Sequence, residues 1–239
     1  MRSLFLLIAC GSMAMGVRAQ SADEILAKSF QAIGGEKAVS GTSSAVIQSE
    51  LSAMGNAMQS TISILYGKAF KSVMSFNGVE IVQCVTPEGG WMLNPLAGQD
   101  APQDMSPEQV KSAQVSYELG GPLTHYKKMG YKAELLGREM VDGANTYKIK
   151  MTKEGEPTMT IFIHPDTYYM VRMDVDTEVN GQAMTISTNF SDFRKSESGF
   201  TMPYVISTSN MGIPITITYK KVEFNKPIDA KEFQKPEVK

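Results

Sequence analysis

The stretch Tyr168-Tyr169-Met170-Val171-Arg172-Met173-Asp174-Val175-Asp176-Thr177-Glu178-Val179-Asn180-Gly181-Gln182-Ala183-Met184-Thr185-Ile186-Ser187-Thr188-Asn189-Phe190 reads as two alternating apolar/polar segments joined by Asn180-Gly181. Asn-Gly is the strongest short hairpin signal, because both central residues of a type I′ turn need φ > 0. With those residues as the loop, Val175 faces Ile186, Met173 faces Thr188 and Val171 faces Phe190 on one side. Arg172 then meets Asn189, Asp174 meets Ser187 and Asp176 meets Thr185 on the other. Turn chemistry and side-chain period choose the same register independently. A sheet with one apolar and one wet face must have the apolar one covered.

The same alternation extends in both directions. With Gly55-Asn56 as a loop, Ile47 faces Ile64, Ser49 faces Ile62 and Ala53 faces Met58; Asn77-Gly78 pairs Met74 with Ile81 and Phe70 with Val85. A two-residue loop at Gly67-Lys68 would put Lys71 on the face of Ile64, so a bulge or longer loop is expected there. Pro87-Glu88-Gly89-Gly90 precedes a short strand at 91–94. Strands follow at 133–141, after which Asp142-Gly143 turns, and at 147–152 and 159–163. His164-Pro165-Asp166 turns the chain into the opening hairpin, and a last hairpin pairs Tyr204 with Tyr219 and Ile206 with Ile217 around Met211-Gly212. About ten antiparallel strands are more than a twisted open sheet carries without curling.

Helical spacing marks residues 22–33, where Ile25, Leu26, Ser29, Phe30 and Ile33 form a stripe, Asp23 and Glu24 favour the dipole and Gly34-Gly35 closes the run. Ser106-Pro107-Glu108 starts a second helix reaching Tyr117, and a third piece is expected at 123–129. The fold class is therefore mainly β with an α lid: a single curled antiparallel sheet partly covered by short helices, which the family resemblance given below makes an unclosed half-barrel with helices over its concave face. No repeat or linker divides it. The tail at 229–239 is expected to pack weakly.

Met1-Arg2, the apolar run at 4–9 and the small-x-small site Val17-Arg18-Ala19 read as a secretory signal peptide over residues 1–19, leaving one domain at 20–239. The apolar run is far short of the roughly 20 residues of a membrane span. An alternative takes Leu7-Ile8-Ala9-Cys10-Gly11 as a lipobox with Cys10 lipidated and the protein anchored to the envelope, but leaves only nine residues of signal. Cleavage after Ala19 gives 220 residues with 21 basic and 25 acidic side chains, a net charge of −4. That balance supplies no electrostatic basis for nucleic-acid binding. Cys84 remains as a lone cysteine, most simply a buried small hydrophobe, so no internal disulfide forms.

Chemistry-bearing patterns are sparse. The two histidines, His125 and His164, sit in no metal spacing, and there is no nucleophile elbow or phosphate loop. Asp174 and Asp176 lie two apart on a strand and are neighbours on its wet face. No catalytic residue, metal or cofactor is expected, and a hydrolase would require polar residues converging inside the sheet. Methionine is abundant, 17 residues against one Trp. Ordinary core filling accounts for it equally well, but an unbranched, polarizable lining also suits an apolar groove that re-packs around acyl chains.

Several motifs in order resemble the periplasmic lipoprotein-sorting carriers of the LolA/LolB-like family. They are Gln31-Ala32-Ile33-Gly34-Gly35, Glu88-Gly89-Gly90-Trp91-Met92-Leu93-Asn94-Pro95, Leu136-Gly137-Arg138-Glu139-Met140-Val141-Asp142-Gly143, Phe162-Ile163-His164-Pro165-Asp166-Thr167-Tyr168 and Phe200-Thr201-Met202-Pro203. His164 departs from the acidic residue more usual there. The resemblance implies an unclosed antiparallel barrel lidded by helices, a cavity for lipoprotein acyl chains or other lipids, a membrane protein as partner, and no catalysis. A monomeric periplasmic carrier is the leading expectation; a non-transporting envelope sensor or anchored accessory protein is the runner-up. The expected cavity wall is Met74, Tyr147, Ile149, Met151, Met159, Ile161, Ile163, Val171, Met173, Val175 and Ile186.

Overall fold

The computed structural model describes residues 20–179, 182–210 and 212–237. The signal segment with Cys10, the Asn180-Gly181 turn and Met211 lie outside them. Among the described residues thirteen strands, rather than about ten, form one antiparallel sheet. The first six are β1 (Ser44–Ala53), β2 (Asn56–Leu65), β3 (Ala69–Phe76), β4 (Val79–Thr86), β5 (Gly89–Leu93) and β6 (Gln103–Asp104). The other seven are β7 (Lys132–Val141), β8 (Ala144–Thr152), β9 (Met159–Ile163), β10 (Met170–Val179), β11 (Gln182–Lys195), β12 (Thr201–Asn210) and β13 (Ile213–Phe224). The strand order is β6-β5-β4-β3-β2-β1-β13-β12-β11-β10-β9-β8-β7. Two meanders are thus joined in the middle, where β1 pairs with β13, and the sheet does not close.

The β10–β11 register is the expected one, with Val175 opposite Ile186, Met173 opposite Thr188 and Arg172 opposite Asn189. So are Met74–Ile81 and Phe70–Val85, with Asn77 and Gly78 at φ 49° and 79°. Tyr66-Gly67-Lys68 forms the longer loop required between β2 and β3, returning Lys71 opposite Ser63. The β1–β2 hairpin turns instead on Met54-Gly55, at φ 51° and 76°, so Ile47 faces Ile62, Ser49 faces Ser60 and Leu51 faces Met58. A two-residue shift keeps every side chain on its expected face, so the apolar pattern could not reveal it.

Four helices lie among the described residues: α1 (Ala22–Ala32), α2 (Gly35–Ser40), α3 (Pro107–Gln114) and α4 (Pro122–His125). Ser21 and Glu24 make a capping box for α1, as Ser106 and Gln109 do for α3, with Pro107 at the first position. The expected third helix at 123–129 shrinks to α4 plus turns; Gly130 closes it, its amide donating to the Lys127 carbonyl.

The ladder carries one continuous apolar face from Val85 through Phe70 and Ile64, across Ile62 and Ile47 to Val222, and on the far half through Met173 and Ile161 to Ile149. On this concave face α1 buries Ala22, Ile25 and Leu26 against Tyr147, Ile149, Met151, Ile161 and Ile163, while Ala113 and Tyr117 pack on Ala45, Ile47, Ile64 and Val85. Each fully buried aliphatic side chain there contributes roughly 1.5–3 kcal/mol of transfer free energy.

The convex face is also covered in two places. Phe162 is almost wholly buried beneath the Arg172 guanidinium, 4.9 Å from the ring centroid, and Lys148, 5.7 Å away. The C-terminal segment, expected to pack weakly, instead seats Phe233 on Ala69, Val82, Cys84 and Trp91. Those side chains form an apolar patch on a face the sequence pattern assigns to water, and the tail removes it from solvent. The Cys84 thiol and the Trp91 indole both donate to the Phe233 carbonyl, each at 3.2 Å.

Candidate functional site

Among the described strands, the connection from β6 to β7 alone does not join neighbours, and it must travel from one sheet edge to the other. It does so over the concave face and becomes a roof. From α3 it tightens into a 3-10 turn, Val115–Tyr117, pinned by a hydrogen bond from the Gly67 amide to the Tyr117 carbonyl at 2.9 Å. Gly120 and Gly121, at φ 74° and 54°, then turn it into α4. A Cβ on Gly120 would collide with Thr124 and stand 3.3 Å from Ile33 Cδ1, so the crossover can lie this close to the end of α1 only with glycine there. Asp23 of α1 completes the fastening by accepting from the Tyr126 hydroxyl and the Lys127 ammonium, both at 2.5 Å.

Between this roof and the middle of the sheet is a cavity of about 370 Å³. Ile33, Val115, Leu119 and Leu123 line it from above. Ile47, Ile64, Ile206 and Tyr219 form the floor, and Met170, Met173, Phe190 and Phe193 one side. Phe200, Met202 and Tyr66 complete the wall. Its volume falls within the about 300–1,000 Å³ of small-molecule pockets, and its lining is overwhelmingly apolar. Among the described residues Glu118 is the one charged group in the lining, which holds no Lys, Arg or His, and it is exposed at the rim. Burial raises the phenols of Tyr66 and Tyr219 above the usual tyrosine range, Tyr219 adding to the effect on Tyr66. A larger hollow, about 450 Å³, between α3 and β4–β5 is an open groove with Gln83, Glu108, Gln109 and Ser112 in its wall, and offers no enclosed apolar volume.

Of the residues expected to form the wall, Met173 lines the cavity. Tyr147, Ile149, Met151, Ile161 and Ile163 are instead closed over by α1 in a packed core, with Met159 against its margin. Val171 falls at a bulge between Met170 and Arg172, so Met170 takes the place on the wall that strict alternation gave Val171. Met74, Val175 and Ile186 are half-buried toward the hairpin ends of the sheet, away from the cavity. The reason is geometric: α1 covers β8–β10, and the space that remains lies over β1, β2 and β10–β13, beyond the end of α1. Alternation puts Phe190 on the apolar face without pointing to a cavity, and the periodic segments reach neither Phe193 nor the crossover residues 118–122. The Gly120-Gly121-Pro122 break inside the only long connection was the signal available for the crossover.

His164 has a turn role: its Nδ1 accepts from the amides of Asp166 and Thr167, at 3.2 and 3.4 Å. Among the described residues no cluster of three His, Cys, Asp or Glu side chains has the geometry to hold a metal, and no helix is long and apolar enough to cross a membrane.

No family model matches the sequence, and no curated protein is similar to it. Solved structures are. A LolA superfamily protein from Nitrosomonas europaea superposes with a TM-score of 0.58 over 91% of this chain and 99% of its own, at 14% identity. A putative outer membrane lipoprotein-sorting protein domain from Vibrio parahaemolyticus gives 0.58 over 88% and 94%, at 12% identity. The chain has the LolA-like fold. A DUF1329 family protein from Desulfovibrio piger shares it at a TM-score of 0.51 over 89% and 97%, at 12% identity. At these identities the LolA-like fold is what is common.

Proposed function

We propose that this chain is a periplasmic carrier or binding protein, exported by residues 1–19, that holds lipoprotein acyl chains or another lipid in the cavity beneath its crossover. Its place is in outer-membrane lipoprotein sorting, with a membrane protein as giver or receiver, and it performs no catalysis. The observation that carries this reading is the apolar cavity, open on one side, between a helical roof and an unclosed sheet, in a fold shared with a putative lipoprotein-sorting domain. Burying an acyl chain contributes about 0.8 kcal/mol per methylene, so even a partly inserted chain gains several kcal/mol. The Asp23 fastening is solvent-exposed and opposes opening only weakly.

The test is native mass spectrometry of protein purified without detergent, followed by titration with a pyrene-labelled acyl ester. Ile206→Glu places a carboxylate on the cavity floor, where it can hydrate through the open side, and should reduce binding at least tenfold while the domain still unfolds cooperatively. Absence of co-purified lipid together with no binding by the unsubstituted protein would refute the carrier reading.

A further inference from the structure

Side chains from separate elements converge beside the head of α1, away from the cavity. The Tyr147 hydroxyl of β8 donates to Gln20 Oε1 at 2.6 Å, and the Lys28 ammonium of α1 donates to the Tyr168 hydroxyl at 3.2 Å. The two phenol rings stack, 6.2 Å between centroids and 18° between planes, and the Arg138 guanidinium of β7 lies over the Tyr147 ring at 4.1 Å. Tyr168 is brought here by the turn at 164–168, where its amide donates to the His164 carbonyl at 3.0 Å and its backbone sits at φ 57°. A left-handed tyrosine costs about 1 kcal/mol and persists only where its surroundings fix it. Hydrogen bonding from Gln20, and next from Lys28, holds the Tyr168 phenol below the usual tyrosine range. The Gln20 side-chain amide is thus clamped at both ends, its oxygen by Tyr147 and its nitrogen against Tyr168.

Under the export reading, cleavage after Ala19 makes Gln20 the N-terminal residue. Its nitrogen is an amide in the precursor and becomes a free amine on cleavage, within reach of its own side-chain carbonyl carbon. We propose that Gln20 is a modification site, where the mature N-terminus closes to pyroglutamate in the folded protein with the hydroxyls of Tyr147 and Tyr168 assisting. The α-amine attacks Cδ and forms an N–Cδ bond, while Oε1 takes up the carbonyl electron pair and the Tyr147 hydroxyl stabilises the charge there. The Cδ–Nε2 bond then breaks, the Tyr168 hydroxyl gives its proton to the departing nitrogen, and the proton shed by the α-nitrogen restores the phenol. One ammonia leaves, and nothing is oxidised or reduced. The lactam oxygen stays on Tyr147, so an uncharged N-terminus is moored at the start of α1. The proposal rests on the export reading through the cleavage after Ala19 and does not depend on what the cavity holds.

Two measurements test it. Intact-mass and N-terminal peptide analysis of the chain exported from its full precursor should find Gln20 first and lighter by one ammonia. For the rate, residues 20–239 are released from a cleavable N-terminal tag at about pH 8, where roughly half of such amines are unprotonated. Loss of ammonia is then followed by mass spectrometry in buffer and in concentrated guanidinium chloride. The folded chain should close at least about tenfold faster than the unfolded one, and Tyr147→Phe and Tyr168→Phe should each slow the folded chain about tenfold, less than a donor lost from an enzyme's oxyanion hole. Equal rates in buffer and denaturant, an exported chain that keeps an open Gln20, or a Tyr147→Phe variant that closes as fast would overturn the proposal and leave the export reading standing. An exported chain that begins at another residue would overturn the cleavage after Ala19 and this proposal together. The comparison of folded with unfolded chain decides the matter even if a variant does not fold.

Discussion

The indole Nε1–H of Trp91 donates to the carbonyl oxygen of Phe233 at 3.2 Å, joining residues 142 apart in the chain. This bond fixes the C-terminal segment over the convex face, and Lys71 supports it by donating to the Glu232 carbonyl at 2.9 Å. Phe233→Ala should lower stability by about 3 kcal/mol, the low end for a buried phenylalanine. It should also red-shift the emission of the single tryptophan and open Cys84 to thiol reagents. Chemical denaturation with tryptophan fluorescence, and a thiol-labelling time course, measure these effects.

The same site gives a pH dependence. Burial pushes the Cys84 thiol up from its ordinary 9.0 to about 11, so the folded state holds the proton that the unfolded chain releases. Stability from this group is complete below about pH 9 and declines as the pH rises toward about 11. In Cys84→Ala that part of the alkaline decline should vanish, as measured by urea midpoints from pH 8 to 11.

Asp174 grips Arg172 with two hydrogen bonds, at 2.7 and 2.8 Å, and holds the guanidinium over Phe162. Its side chain is only 13% exposed. Asp174→Lys should therefore cost roughly 1–3 kcal/mol, because it removes a partly buried partner and leaves two cations together. Asp176→Lys, two residues along and exposed, should change stability by less than about 0.5 kcal/mol. Thermal unfolding of the two variants side by side gives the comparison.

Gly34 sits at φ 115°, and a Cβ there would come within 2.5 Å of Ala38 Cβ and 2.6 Å of the Gly199 carbonyl oxygen. Gly34→Ala should cost more than about 2 kcal/mol, combining left-handed strain with a clash against backbone. Gly55→Ala, at φ 76° with open space around it, should cost about 1 kcal/mol. Urea denaturation midpoints distinguish the two.

Hydrogen bonding to Lys127 and then to Tyr126 holds the Asp23 carboxyl below its ordinary range. The fastening it provides is present above about pH 4 and lost as the pH falls through the lowered value. Asp23→Asn should weaken the hold of α1 on the crossover at neutral pH and speed ligand entry several-fold, with a stability change of no more than about 1 kcal/mol. Stopped-flow binding of the pyrene ester checks the rate.

The parts of the molecule that were legible in the sequence are those where local chemistry and side-chain period speak together. Asn77-Gly78 and the flanking strands fix one hairpin, and the alternation from Arg172 to Asn189 fixes another although its turn lies outside the described residues. Ser106-Pro107-Glu108, with proline at the first helical position, likewise marks the start of α3 directly. Met54 at φ 51° was not legible, since nothing in its chemistry invites that conformation, and Gly55-Asn56 offered a loop with the same facing. Two-residue β6 carries no alternation to read. The site was hidden for a different reason. Periodicity tells which face Ile149, Ile161 and Ile206 share, but only the path of α1 decides that the first two are sealed and the third is open.

The pairing of β1 with β13 sets the order in which this molecule can be made. Every other strand neighbour is reached by a turn or a short loop, whereas this seam joins the first described strand to the last, with Asn225 donating to the carbonyls of Ser44 and Gly41. Closing so long a loop is entropically slow and comes after the local hairpins have formed. The cavity floor straddles the seam, Ile47 on one side and Tyr219 on the other. Until β13 pairs with β1 the molecule is two half-sheets, and the cavity has only part of its floor.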